Sequence, residues 1–425
     1  MDSRNRSRPG SQAVSGDTRS TWSYSTQSTS SVDVALGPCF SSPVITVISP
    51  DRSAYVLLMT ASLPASRRAR IGRPPHPAYS IGPTPRRPPA AGQAARRPPA
   101  AGQAARRPPA VGRAARWPLA AGLAAGVALD ALLGDPRRGH PVAAFGRAAA
   151  ALEARDYADS RPRGAAHAAA LVLAVAVPAA LLHRRTRGRP GQVAAAALAV
   201  WAVTGARSLH HEAERIRFSL HRRDLASARD ALPGLCGRDP SQLDAAEITR
   251  AVVESVAENT SDAVVAPLLW GAVAGIPGLA AYRAVNTLDA MVGHRSARYL
   301  RFGWASARLD DVANWIPARV TAALTAACAP LVTGTSPVAV LDLVRRDGGH
   351  HPSPNAGRCE AAFAAALGVR LGGTNVYGGI AEARPGMGEG RAPEPEDIRR
   401  AVALSRAVTV SATALAVLIA GLTGG

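Results

Sequence analysis

Lysine is absent from this 425-residue chain, so all 50 basic residues are arginine. Alongside the plentiful alanine, glycine and proline, an arginine-only cation set reads as GC-rich coding bias rather than selection for guanidinium chemistry. Aromatic residues are only 4% of the chain and are not interleaved with the arginines. No nucleic-acid recognition motif is present, so the formal charge of +20 does not argue for a nucleic-acid partner. Cysteine is scarce as well: Cys39, Cys236, Cys328 and Cys359 lie far apart, with no CxxC and no Cys/His spacing suited to zinc. That pattern excludes a disulfide framework and a thiolate metal site. The region after Met1 lacks the apolar run of an ordinary secretory signal.

Charge and apolar character are unevenly divided. Residues 1–116 hold 17 Arg against four Asp and no Glu, which accounts for most of the net charge. They are rich in Ser, Thr, Arg and Pro without sustained helical or strand period, the composition of a disordered leader. A ten-residue repeat, Arg-Arg-Pro-Pro-Ala-Ala-Gly-Gln-Ala-Ala, starts at Arg86 and recurs at Arg96 and, altered, at Arg106. Its Pro-Pro pairs forbid a continuous helix and favour an extended tether. The apolar run Ser42 to Met59 contains Asp51 and Arg52, which argues against a membrane span.

From Trp117 the texture changes to apolar stretches separated by motif-dense polar segments. Candidate spans are Trp117 to Leu133, Gly164 to Leu182, Gly191 to Ala206, Ala263 to Ala281, Ile316 to Gly334 and Ser405 to Gly425. Their lengths suit a hydrocarbon core about 30 Å thick. The expected architecture is all-α: a leader over residues 1–116, then a polytopic membrane helical bundle with motif-rich loops over 117–425.

The densest chemistry lies at Arg250 to Asp262. Glu254, Glu258 and Asp262 recur every four residues, so a helix stacks three carboxylates on one face, where like charges repel unless a cation sits among them. With the Asn259 amide these are hard oxygen donors of the kind Mg²⁺ takes, and Mg²⁺ commonly accompanies a nucleotide. Asn286 and Asp289 stand one turn apart, with Arg283 a turn earlier. Asp310 and Asp311 supply further metal ligands, and Arg308 and Arg319 supply forks matched to phosphate. Asp135 and His140 bound a Pro-containing turn. His351, Ser353 and Asn355 lie in His-Pro-Ser-Pro-Asn-Ala-Gly, and Asn375 lies in Gly-Gly-Thr-Asn-Val-Tyr-Gly-Gly. Such Gly-rich strings wrap phosphate with backbone N–H groups, although neither is a P-loop. His210, His211, Glu212 and Glu214 read as one amphipathic helix, since adjacent histidines point about 100° apart and cannot both face one ion.

In order, Leu-Asp-x-Leu-Leu-Gly-Asp-Pro…His-Pro, Val-x-Glu-x-Val-Ala-Glu-Asn-Thr-x-Asp, Tyr-x-Ala-Val-Asn-Thr-Leu-Asp-x-Met-Val-Gly, Phe-Gly-Trp-Ala-Ser-Ala-Arg-Leu-Asp-Asp, His-Pro-Ser-Pro-Asn-Ala-Gly and Leu-Gly-Gly-x-Asn-x-Tyr resemble the adenosylcobinamide-phosphate synthase family of cobalamin biosynthesis, the CobD/CbiB type. The likeness runs from about Leu119 to Gly379. Arg283 stands where that family is expected to have Lys, and Thr374 where Pro is frequent. The resemblance implies ATP- and Mg²⁺-dependent amide formation between a propionate carboxylate of adenosylcobyric acid and (R)-1-aminopropan-2-ol or its O-phosphate, with other corrinoid-pathway enzymes as potential partners. On that reading Glu254, Glu258, Asp262 and Asp289 are the catalytic Mg²⁺ and nucleotide ligands, with Asp310 and Asp311 as further metal ligands. Asp135, His140, Asn259, Asn286, Arg308, Arg319, His351, Ser353, Asn355 and Asn375 then bind substrate. Competing readings are a Mg²⁺-dependent prenyltransferase-like membrane enzyme and a corrinoid-binding transporter without catalysis.

The motifs also constrain topology, because one active site needs all of them on one face of the membrane. That requires at least one of Ala263 to Ala281 and Ile316 to Gly334 to be broken or re-entrant. Use of ATP places that face in the cytoplasm, although the basic loop His183 to Arg189 competes for the same side under the positive-inside rule.

Overall fold

The computed structural model describes residues 46–48, 54–56, 117–135, 139–377 and 380–422, with backbone only at 46–48, 54–56, 375–377 and 380–382. In the leader, β1 (Thr46–Ile48) pairs antiparallel with β2 (Ala54–Val56), Thr46 opposite Val56. Those β-branched and aromatic residues suit a strand. The rest of residues 1–116, with its repeats and Cys39, lies outside the described residues.

The bundle begins with α1 (Trp117–Leu133), α2 (Pro141–Asp156), α3 (Arg161–Arg185), α4 (Arg189–Val203), α5 (Ala206–His221) and short α6 (Leu225–Ala231). Gly122 and Gly126 let α1 press onto α4: a Cβ at either would lie 2.4 Å from the Cβ of Ala196 or Val200. Small residues four apart are a membrane-helix device for close backbone approach. α5 is amphipathic as expected, with His210 buried against Ser405 (Nε2 to Oγ 2.9 Å) and His211 exposed.

α7 (Ala245–Thr260) opens with a capping box, Asp244 accepting from the Glu247 N–H and Glu247 from the Asp244 N–H. It continues through a π-helical turn at Ser261–Val265 into α8 (Ala266–Leu288) and a second π turn at Asp289–Gly293. Residues 245–293 are apolar enough to count as one 49-residue membrane helix, but the path is not straight. Gly275 has φ 68° and ψ −161°, and Pro277 follows. Tyr282 Oη then reaches back to the Asp262 carbonyl at 3.2 Å, a pair that a straight helix would hold about 30 Å apart. A Cβ on Gly278 would meet the Trp270 carbonyl at 2.7 Å. The chain therefore reverses at Gly275, within Ala263 to Ala281, and that stretch is not a simple crossing.

After this reversal come α9 (Tyr299–Phe302), α10 (Trp304–Ala313), α11 (Trp315–Val332), α12 (Pro337–Arg346) and α13 (Ala356–Leu367). One antiparallel hairpin, β3 (Leu371–Tyr377) with β4 (Ile380–Met387), interrupts the otherwise helical unit before α14 (Pro395–Leu422). α14 packs against α1, α5, α7 and α11 through Ala401, Ser405, Val408, Ala412 and Ala416. Five stretches are long and apolar enough to cross a membrane, in α3, α4–α5, α7–α8, α11 and α14, while α1 is a shorter apolar helix. The fold is a helical bundle of membrane-protein character.

Candidate active site

The reversal at Gly275 brings distant carboxylates together. Asp262 sits in the first π turn and Asp289 begins the second, 27 residues later. Both line one pocket with Glu258, Asp310 and Asp311, and Ser353 and Asn355 close its far wall. A π turn widens a helix by one residue and re-aims its side chains, a distortion that recurs at functional sites. The five acids come from the end of α7, the two π turns and one turn of α10.

Asp310 is held from two sides. Asn286 Nδ2 donates to Oδ1 at 3.3 Å and Asn314 Nδ2 to Oδ2 at 3.0 Å, while Tyr282 Oη donates to Asn314 Oδ1 at 2.9 Å. Arg283 Nη1 in turn reaches Asn286 Oδ1 at 3.5 Å. Burial pushes the Asp310 carboxyl up to about 6, against the lowering effect of those amides. Burial also raises Asp311, offset by Arg308, whose Nη1 is 3.8 Å away. Asn355 Nδ2 donates to the Asp311 carbonyl at 2.9 Å, and Ser353 Oγ accepts from the N–H groups of Asn355 and Ala356 at the start of α13. Gly357 is required here, because a Cβ would come within 2.3 Å of His351 Cβ.

Asp289 Oδ1, Ser261 Oγ and Asn355 Oδ1 are buried without a hydrogen-bond partner. Crowded acids with orphaned oxygens fit a hard cation, since an uncompensated buried carboxylate is costly. Among the described residues no three His, Cys, Asp or Glu side chains converge tightly enough to hold a metal alone. The donors around the pocket are oxygens, the type a hard cation takes.

Four expected site residues stand apart from this pocket. Glu254 is one turn before Glu258, yet its carboxylate is taken up by Arg238, by Arg250 Nη1 at 3.5 Å and by the Gly372 N–H at 2.7 Å. It closes a buried ion network and has no capacity left for metal. The Gly-rich string around Gly372 is strand β3, not a phosphate loop, and its N–H serves that carboxylate. Asn375 lies opposite Glu382 on β4, and its side chain is outside the described residues. Asn259 spends its amide on Ser255, through the carbonyl at 2.8 Å and Oγ at 3.1 Å. Arg319 lies over the Trp315 ring at 4.0 Å and donates to the Trp315 carbonyl at 2.7 Å.

His351 borders the same ion network: Arg384 Nη1 lies 3.1 Å from its Nε2, and Glu360 Oε1 lies 3.8 Å away. Burial, then the charge of Glu254, pushes Glu360 up to about 7. Asp135 and His140 face each other at 3.8 Å, with Asp135 Oδ1 and His140 Nε2 buried and unpartnered. Arg283 is in electrostatic reach of both Asp135 and Asp262, which ties this turn to the pocket. Reading the sequence missed Arg238, Glu360, Arg384, Tyr282 and Asn314. Only Asn314 carried a signal, standing one helical turn after Asp310.

Comparison with known proteins places this geometry. The family model described as CobD/Cbib protein matches residues 123–405. The chain is 55% identical over 294 residues to the "Cobalamin biosynthesis protein CobD" of Mycobacterium tuberculosis (strain ATCC 25618 / H37Rv), covering 69% of this chain and 93% of that protein. Proteins of the same name from Geobacter metallireducens and Rhodobacter capsulatus are 47% and 41% identical, over 62% and 69% of this chain and 84% and 95% of theirs. No solved structure matches. The matched stretch holds every pocket-lining carboxylate, and the chain belongs to the CobD/Cbib family.

Proposed function

We propose that this membrane protein acts in cobalamin biosynthesis as an ATP-dependent amide ligase. It joins a propionate carboxylate of adenosylcobyric acid to the amine of (R)-1-aminopropan-2-ol or its O-phosphate, at the cytoplasmic face of the cell membrane. The observation that carries the reading is the convergence of Glu258, Asp262, Asp289, Asp310 and Asp311 on one pocket with unpartnered oxygens. A free carboxylate is a poor acyl donor until phosphorylated, so the site must hold a nucleotide triphosphate and neutralise its charge while an amine is positioned. Mg²⁺, when bound, would neutralise and orient phosphate oxygens.

The chain's own groups divide the work. Asp262 and Asp289, fixed by the two π turns, offer carboxylate oxygens to the cation, and Asp310 is locked in orientation by Asn286 and Asn314. Ser353 and Asn355 stand at the N-terminus of α13, where backbone N–H groups favour anions. Arg308, half exposed at the rim, offers a fork to phosphate. The space between the acids is little larger than a water molecule, so on this reading the corrin ring rests outside and only its reacting side arm enters.

The test incubates purified protein with adenosylcobyric acid, aminopropanol phosphate and Mg·ATP, following corrinoid and nucleotide by mass spectrometry. Amide product formed in step with nucleotide consumption is expected. Corrinoid binding with ATP untouched would favour a transporter instead.

A further inference from the structure

The outer surface of the pocket wall is inverted relative to a water-facing helix. On α10 and the first turn of α11, Trp304, Leu309, Val312, Trp315 and Ile316 point outward, with Val312 75% and Ile316 62% exposed. The inward side carries Ser306, buried, and the pocket acids Asp310 and Asp311. An outward face that is apolar apart from the half-exposed Arg308, on a helix whose inner side is acidic, marks an interaction surface. Two observations identify what covers it. First, the face is continuous with candidate spans: α11 runs on from Trp315, and Arg161, which begins α3, lies over the Trp304 ring at 5.4 Å. Second, arginines rim it, with Arg161, Arg301 and the Arg319 stacked on Trp315, the Trp-and-Arg pairing of a membrane interface. At ten residues α10 spans about 15 Å and is too short to cross.

We propose that α10 and the start of α11 are lipid-facing, so that one helix separates the acidic pocket from the bilayer, with arginines at headgroup phosphates. This rests on the membrane character of the chain and not on its being a ligase.

The full chain would be placed in vesicles of phosphatidylcholine and phosphatidylglycerol, with or without brominated acyl chains. The fluorescence of Trp304 and Trp315 is taken as the difference between wild type and the Trp304→Phe/Trp315→Phe protein. Brominated lipid is expected to quench most of that difference signal, and aqueous iodide little of it. Should the double variant fail to fold, Val312→Cys in a Cys39→Ser background carrying a bimane label gives the same comparison, because Cys236, Cys328 and Cys359 are buried. Quenching by iodide and not by bromolipid would put the face in water. Protection from both quenchers, with cross-linking of Val312→Cys between copies, would make it a protein interface. Either result overturns the proposal, whether or not the protein makes amide product.

Discussion

Glu254 and Glu258 occupy successive turns of α7, yet they belong to opposite electrostatic worlds. Around Glu254 cations are built in: Arg238 and Arg250 hold Glu254, and Arg384 stands 4.0 Å from Glu360, whose oxygens take no hydrogen bond. Around Glu258 the acids face one another: Arg384 and Arg238 are in reach of Glu258, Arg283 of Asp262 and Arg295 of Asp311, but the closest ion pair is Arg308 with Asp311 at 3.8 Å. Both regions are buried, so burial does not separate structure from chemistry. The supply of countercharge does. An acid whose cation is built into the chain has a structural role, whereas acids left to share a cavity leave room for a cation from solution.

The contrast breaks most readily through stability. Glu254→Ala leaves Arg238 buried without its carboxylate, and one-sided removal of a buried pair costs about 3–5 kcal/mol. The thermal midpoint of the solubilised protein should collapse, and the Gly372 end of β3 should become protease-sensitive. Asp289→Asn removes one of several repelling charges, so its midpoint should hold or rise. Its turnover should nevertheless fall about 10²–10³-fold, roughly 3–4 kcal/mol of transition-state stabilisation. If Asp289→Asn unfolds and Glu254→Ala keeps both fold and activity, the two regions have been assigned the wrong way round.

The sequence made much of this legible and hid the rest for physical reasons. Apolar length locates α1, α3, α4 and α11 within a few residues, because bilayer thickness acts locally, but places the start of α14 at Ser405 when it lies at Pro395. Asp262, Asp289, Asp310 and Asp311 could be named because several acids within apolar surroundings have few inexpensive structural uses. Which acids are neutralised was not legible: Arg238 lies 16 residues before Glu254, and the Gly372 N–H arrives from 118 residues away. The four-residue spacing that grouped Glu254 with Glu258 is true of the helix face and silent about what packs against it. The reversal at Gly275 was reachable only through the demand that motifs share a side, since Ala-rich arms on both sides of a Gly-Ile-Pro look like one span. The Gly-Gly string was misread because glycine at positive φ, as at Gly372 (86°) and Gly373 (111°), serves a bulged strand as readily as a loop.

A smaller effect tests how the pocket side is organised. Asn314 is buried and joins Tyr282 to Asp310. Asn314→Ala leaves all five acids present but releases Asp310 from one amide and Tyr282 Oη from its closest acceptor. Loss of such a hydrogen bond to a charged group is worth about 1.5–3 kcal/mol. Turnover should fall roughly ten-fold or more, with the larger change in the Mg²⁺ concentration needed for half-maximal rate. An unchanged Mg²⁺ dependence would detach Asp310 from the cation and leave it on the structural side of the divide.

The gentlest probe is pH, and it reads the countercharge directly. In the folded chain the Asp310 carboxyl titrates at about 6, raised by burial from its ordinary 3.8. Between those values the folded state holds a proton that the unfolded chain releases. Its contribution to stability is therefore full below about pH 4 and is lost as pH rises through about 6. Without divalent cation the thermal midpoint should decline across that window, with a loss of about 3 kcal/mol of stability. Mg²⁺ takes the deprotonated carboxylate, so its stabilising effect should grow over the same window with release of protons. The Mg²⁺-dependent rise in midpoint should therefore be larger at about pH 7 than at about pH 5, and Asp289→Asn should flatten it, since it takes an oxygen away from the same cation. A decline identical with and without Mg²⁺ would mean that the acids repel one another with no cation to join them, and the distinction between the two regions would then rest on Arg238 and its neighbours alone.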